Sequence, residues 1–166
     1  MYSRLSLNLI LILLLQPILC YSQNSTETVS RIAFGSCIRE NKPQPIWESV
    51  LDSKPDCFIL TGDNIYGDTH DMEVLKKKWA TLGSNPGYQK LKETCPILAT
   101  WDDHDYGQND AGVEYPEKVE SQQIFLDFFD EPQNSERRIT PGIYDAQVMG
   151  SEGKRVQIIL LDTRYF

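Results

Sequence analysis

The acidic cluster Asp102-Asp103-His104-Asp105 follows directly on the apolar run 96–101. Carboxylates crowded at the end of a buried strand repel one another unless a cation holds them. The same change from apolar run to polar chemistry occurs twice upstream, at Phe34-Gly35-Ser36-Cys37 and at Gly62-Asp63-Asn64-Ile65-Tyr66. Asp63 and Tyr66, three apart in a loop, are spaced to chelate one centre. A carboxylate, a phenolate and the Cys37 thiolate suit a strongly polarising ion, the phenolate favouring ferric iron. Asp103, Asn109 and a bridging Asp63 offer oxygens to a harder ion such as calcium, magnesium or manganese. Two unlike metals are therefore expected, and such pairs activate water and clamp the attacking and leaving oxygens of a phosphoryl displacement.

The elements that position these residues follow from periodicity. Short apolar runs alternate with helix-like segments, the pattern of an α/β fold with a mostly parallel sheet and flanking helices. Strands are predicted at 31–35, 57–61, 96–101 and 155–161, and a weaker one at 143–149 pairs as a hairpin across 150–153. A helix opened by Pro43 and Pro45 presents Ile46, Trp47, Val50 and Leu51 on one face. A second is capped by Asp71 and runs to about Leu82, where Ser84-Asn85-Pro86-Gly87 breaks it. A third runs over 117–129 with Val119, Ile124, Phe125, Phe128 and Phe129 as its apolar side. In open α/β sheets ligands gather outside the carboxyl ends of the strands, where Cys37, Asp63, Tyr66, Asp103, His104 and Asp105 all fall. Gly35 and Gly62 precede the departures from two strands, where the absence of Cβ lets the backbone turn closely.

Length and charge narrow the function classes. The 166 residues fit one domain. A net charge of −8 opposes binding to phosphate polymers, so no nucleic-acid partner is expected and divalent cations are favoured. Lys76-Lys77-Lys78 and Arg137-Arg138 read as solvated faces, and His70 as a surface loop residue. Residues 1–22 read as a secretory signal peptide, with Arg4 ahead of the apolar stretch 5–19, which is shorter than a membrane span. A secreted or extracytoplasmic protein without a stable membrane anchor is expected, with 23–30 a short segment before the domain. Cys37, Cys57 and Cys95 follow the leader, an odd number in an oxidising compartment. Cys57 and Cys95 either bond or stand as two small buried hydrophobes.

Taken in order, Phe34-Gly35-Ser36-Cys37, Gly62-Asp63-Asn64-Ile65-Tyr66, Trp101-Asp102-Asp103-His104-Asp105 and Leu161-Asp162-Thr163-Arg164 resemble the alkaline phosphatase D family of metallophosphatases over about residues 31–166. The resemblance implies a layered metallophosphatase fold and hydrolysis of small phosphate monoesters or diesters by a metal-bound hydroxide, with iron and calcium as cofactors. It implies that Cys37, Asp63 and Tyr66 hold the iron and that Asp63 bridges to the second metal. Asp103 stands where related enzymes place a metal-binding asparagine. His104 would assist the leaving group with Asp105 orienting its ring, and Asn109 would contact metal or phosphate. Asp68 carries little expectation. Arg164 either clamps phosphate or pins the last strand together with Asp162. Family members take further histidine and aspartate ligands from later loops, so 31–166 reads as the N-terminal part of such a domain, truncated before its C-terminal half.

Two rivals belong to other classes. Asp103, Asp105, Asn109 and Glu114 have spacings partly like an EF-hand loop, which would make a secreted acidic calcium-binding module or an inactive fragment. However, Gln108 occupies the glycine position of that loop. A hydrolase using Ser36 lacks the second glycine of a nucleophile elbow, and no histidine follows His104.

Overall fold

The computed structural model describes residues 28–166, so the signal peptide expected over 1–22 lies outside the described residues. Strands β1 (Ile32–Gly35), β2 (Cys57–Thr61) and β3 (Ile97–Thr100) form a parallel sheet in that order. Parallel neighbours need long crossovers. Helix α1 (Ile46–Asp52) supplies the first, and α2 (Met72–Gly83) with α3 (Pro86–Thr94) supplies the second. After β3 come the single turn α4 (Asp103–Tyr106), α5 (Lys118–Phe128) and a 3-10 turn at Glu136–Arg138. The hairpin β4 (Asp145–Met149) and β5 (Val156–Leu160) completes the α/β architecture.

Side chains alternate across a strand, and the parallel sheet buries both faces. Phe58, Leu60 and Ala99 join Trp47, Leu75, Trp79, Leu91 and Phe125 in the core under the helices. Cys57, Ile59 and Leu98 face the other way and meet Met149, Ile158 and Leu160 of the hairpin. Among the described residues β5 pairs with β4 alone, antiparallel, so the hairpin is separate from the parallel sheet. Cys57 and Cys95 are free thiols packed as small hydrophobes, and burial pushes the Cys57 thiol up to about 11.

Several local readings change. Ser84-Asn85-Pro86-Gly87 ends α2 as expected and also opens α3, a helix not expected from the sequence: Asn85 Oδ1 accepts from the backbone N–H of Gly87 and Tyr88, and Pro86 sits in the first turn. Asn85→Ala is expected to cost about 0.5–2 kcal/mol, read as a lower urea midpoint with unchanged slope. Val119 is 57 % exposed, while Phe125, Phe128 and Phe129 surround Trp79. Arg137 and Arg138 turn inward: Arg137 pairs with Glu131 at 2.6 Å and donates to the Ile143 carbonyl, and Arg138 pairs with Asp127 at 2.8 Å. No helix among the described residues is long and apolar enough to cross a membrane.

Candidate metal centre

The parallel strands all end at one edge, and backbone bonds stitch together the loops that follow. Cys37 N donates to Gly62 O at 3.3 Å and Ile38 N to Asp63 O at 2.8 Å. Gly67 N donates to His104 O at 2.9 Å and Thr69 N to Gly107 O at 2.7 Å. Gly62 has φ +111°, and a Cβ there would stand 2.7 Å from Asp102 Cβ, so the loops after β2 and β3 touch because this residue has no side chain. Gly35, also singled out in the sequence, lies inside β1 with room for a Cβ 3.6 Å from the Phe58 ring. Cys37, Asp63 and Asp68 hold φ of 60°, 51° and 47°. Left-handed backbone at non-glycine residues costs of order 1 kcal/mol or more each and concentrates at functional sites.

Asp63 lies at the centre. Its Oδ2 is 3.6 Å from Cys37 Sγ and 3.3 Å from the Tyr66 hydroxyl. Donor atoms of Asp63, Asp103 and His104 all lie within 4.8 Å of one another. Asp63 Oδ1 is buried and has no hydrogen-bond partner among the described residues. A buried carboxylate oxygen left without a donor is expensive, and a cation is one ligand that would satisfy it. The donor set fits metal: the Cys37 thiol, the Tyr66 phenol and the Asp103 carboxylate gather around the Asp63 carboxylate, with the His104 imidazole beside them. Burial, then the charges of Asp63 and Cys37, push the Tyr66 phenol up to about 12, so it keeps its proton unless a cation displaces it.

His104 is oriented by Asp68, not by Asp105. His104 Nδ1 lies 2.7 Å from Asp68 Oδ1. Burial disfavours the protonated ring, but the Asp68 hydrogen bond and the charges of Asp68, Asp103 and Asp63 outweigh it and raise its pKa. Adjacent residues on a helical turn point in different directions, and α4 sends Asp105 into the interior. There the Asp105 carboxylate accepts from Asn64 N at 3.0 Å, from the Asn64 amide and from Asp102 N at 2.7 Å. Burial pushes its pKa up to about 7, against the pull of these donors. Asp105 thus ties the loops after β2 and β3 together.

The remaining candidates divide in the same way. Asn109 donates its N–H to Asp68 at 3.0 Å and its amide to Asp110 at 2.7 Å, so it orders Asp68. Asp103 Oδ2 accepts from Asp110 N at 2.6 Å. Burial opposes ionisation of Asp103, but that bond, His104 and Arg164 outweigh it and lower its pKa. Arg164 pairs with Asp102 at 2.6 Å and reaches Asp103 at 3.6 Å. Asp162 accepts from Trp101 Nε1 and Ile143 N, both at 2.9 Å, so both residues pin the segment after β5. The EF-hand spacing does not form a cage, because Asp105 is turned inward and Glu114 accepts from Gly112 N. His70 is half exposed, as expected, and bonds Glu117 and Gln108.

No family model and no curated protein sequence matches the chain. The solved structure of PhoD does match in three dimensions, with a TM-score of 0.65 and 18 % identity, covering 86 % of this chain and 33 % of that one. The chain has a PhoD-like fold. It spans about a third of the length of PhoD. At this identity the likeness establishes the fold, which is the layered architecture implied by the four sequence motifs.

Proposed function

We propose that this chain carries part of the metal site of a secreted phosphoesterase of the alkaline phosphatase D family, acting on small phosphate monoesters or diesters. The observation that supports this most directly is Asp63, whose buried Oδ1 has no donor among the described residues and whose Oδ2 meets both Cys37 and Tyr66. In this reading Cys37, Asp63 and Tyr66 hold ferric iron, and Asp63 with Asp103 holds calcium or another divalent ion. Bound cations supply Lewis acidity and lower the pKa of water at the site. The PhoD-like fold and the order of the four motifs agree with this assignment.

His104 assists the departing alkoxide with a proton or a hydrogen bond, and Asp68 fixes its Nδ1 so that the other ring nitrogen is free for substrate. Arg164 balances Asp102 and Asp103 rather than clamping phosphate. His104→Ala is expected to keep its metals and lose about 10²–10⁴-fold in turnover of a generic phosphoester, with Asp68→Asn intermediate. Loss of metal from His104→Ala, measured by elemental analysis, would make the imidazole a ligand and remove it from proton transfer.

A further inference from the structure

Lys76-Lys77-Lys78 reads in the sequence as a solvated face, yet Lys78 points inward from α2. Its Nζ lies 3.4 Å from Glu40 Oε1, and the two side chains are 30 % and 4 % exposed. Glu40 Oε2 accepts from the backbone N–H of Tyr66 at 3.1 Å, and Lys78 Nζ donates to the Tyr66 carbonyl. Among the described residues, the side-chain hydrogen bonds of this pair go to each other and to Tyr66 and nowhere else. An ion pair is a poor way to fill buried space, since apolar residues of the same volume usually stabilise as well or better. What this pair adds is grip on one residue.

We propose that Glu40 and Lys78 are positioning residues for Tyr66, clamping its N–H and carbonyl so that the phenol is held at the site before a cation arrives. The inference rests on the reading of Tyr66 as a metal ligand. Both arms of the clamp are anchored. Glu40 lies three residues after Cys37 on the same loop, so one segment supplies a ligand and fixes another. Lys78 is held in register by its neighbours Leu75, Trp79 and Leu82, all buried in the core. The ring is confined as well: the Arg39 guanidinium carbon stands 3.9 Å from its centroid and the His104 ring centroid 4.3 Å away. With main chain and ring both fixed, the Tyr66 hydroxyl is left 3.3 Å from Asp63 Oδ2. Ordering a ligand during folding removes that entropy cost from the binding step.

The test is a ferric titration of the purified protein, followed by the visible absorption of tyrosinate bound to iron, with a urea melt on each variant. Glu40→Leu removes both contacts and is expected to weaken ferric binding about 10–100-fold, with a weakened or shifted band. Glu40→Gln keeps an acceptor for the Tyr66 N–H and is expected to recover part of the loss. Lys78→Met falls between them, and Lys77→Met, on the exposed face of the same helix, matches wild type. A purely structural pair would lower the urea midpoint and leave the band and affinity of the folded protein unchanged, which would overturn the proposal. Should Glu40→Leu fail to fold, Glu40→Gln and Lys78→Met decide on the same criteria. A wild-type protein with no band on adding iron defeats the ligand reading of Tyr66 and the clamp with it, whereas a wild-type band that persists unchanged in the variants defeats the clamp alone.

Discussion

Asp63→Asn is expected to abolish metal binding and activity together while leaving the fold intact. Asparagine is among the residues that best tolerate left-handed backbone, so the φ of 51° at this position survives the change. What disappears is the charge to which Cys37, Tyr66, Asp103 and His104 all stand close. Losing an outer-shell partner already costs about 10–100-fold in metal affinity, and loss of a bridging ligand is expected to exceed that. Without cations the sign reverses. Asp63 and Asp103 are near neighbours of like charge, so the chelated variant is expected to melt at or above the chelated wild type. Elemental analysis and paired thermal melts, with and without chelator, read both effects. A variant that retains its metals would remove Asp63 from the bridging role.

Gly62→Ala carries the largest expected loss of stability. The substitution strains a backbone at φ +111° and drives a Cβ to 2.7 Å from Asp102 Cβ and 2.9 Å from Asp102 N. Strain and overpacking each cost about 1–3 kcal/mol, so a total of about 2–6 kcal/mol is expected in urea unfolding. Gly153→Ala separates the two contributions, because that glycine has φ +79° and nothing within 4 Å of a Cβ. It should lose only the backbone part, about 1 kcal/mol. The Gly62 change also spreads the loops that carry Asp63 and Asp103, so ferric and calcium affinity should fall in Gly62→Ala and not in Gly153→Ala. Equal losses in the two variants would mean that the close approach of these loops contributes nothing.

The parts of the candidate site visible in the sequence are those set by strand ends. Cys37, Asp63, Tyr66, Asp103 and His104 each follow an apolar run, and parallel pairing of the three strands delivers them to one edge. The contacts that the sequence did not foretell depend on turns inside the loops. Asp105 is adjacent to His104 in sequence, but the α4 turn directs it onto Asn64 and leaves Asp68, on another loop, to hold the imidazole. The signal available for Asp68 was its place two residues after Tyr66, which carries no information about direction. Glu40 and Lys78 had no signal, because they meet only when the loop after β1 and helix α2 close on Tyr66. The break at Ser84-Asn85-Pro86-Gly87 falls where the sequence places it, but α3 behind it has no separate signal, because the residues that end one helix also cap and open the next. The left-handed backbone at Cys37 and Asp63 was equally hidden, since neither residue is glycine.

Metal binding by the Asp63-centred cluster underlies every role proposed for these loops. The most direct measurement is elemental analysis of the purified protein after equilibration with ferric and calcium ions, with the visible spectrum taken on the same sample. Iron together with a divalent ion, and an absorption band from tyrosinate on iron that disappears in Tyr66→Phe, is the predicted result. A folded protein that takes up neither ion would contradict it.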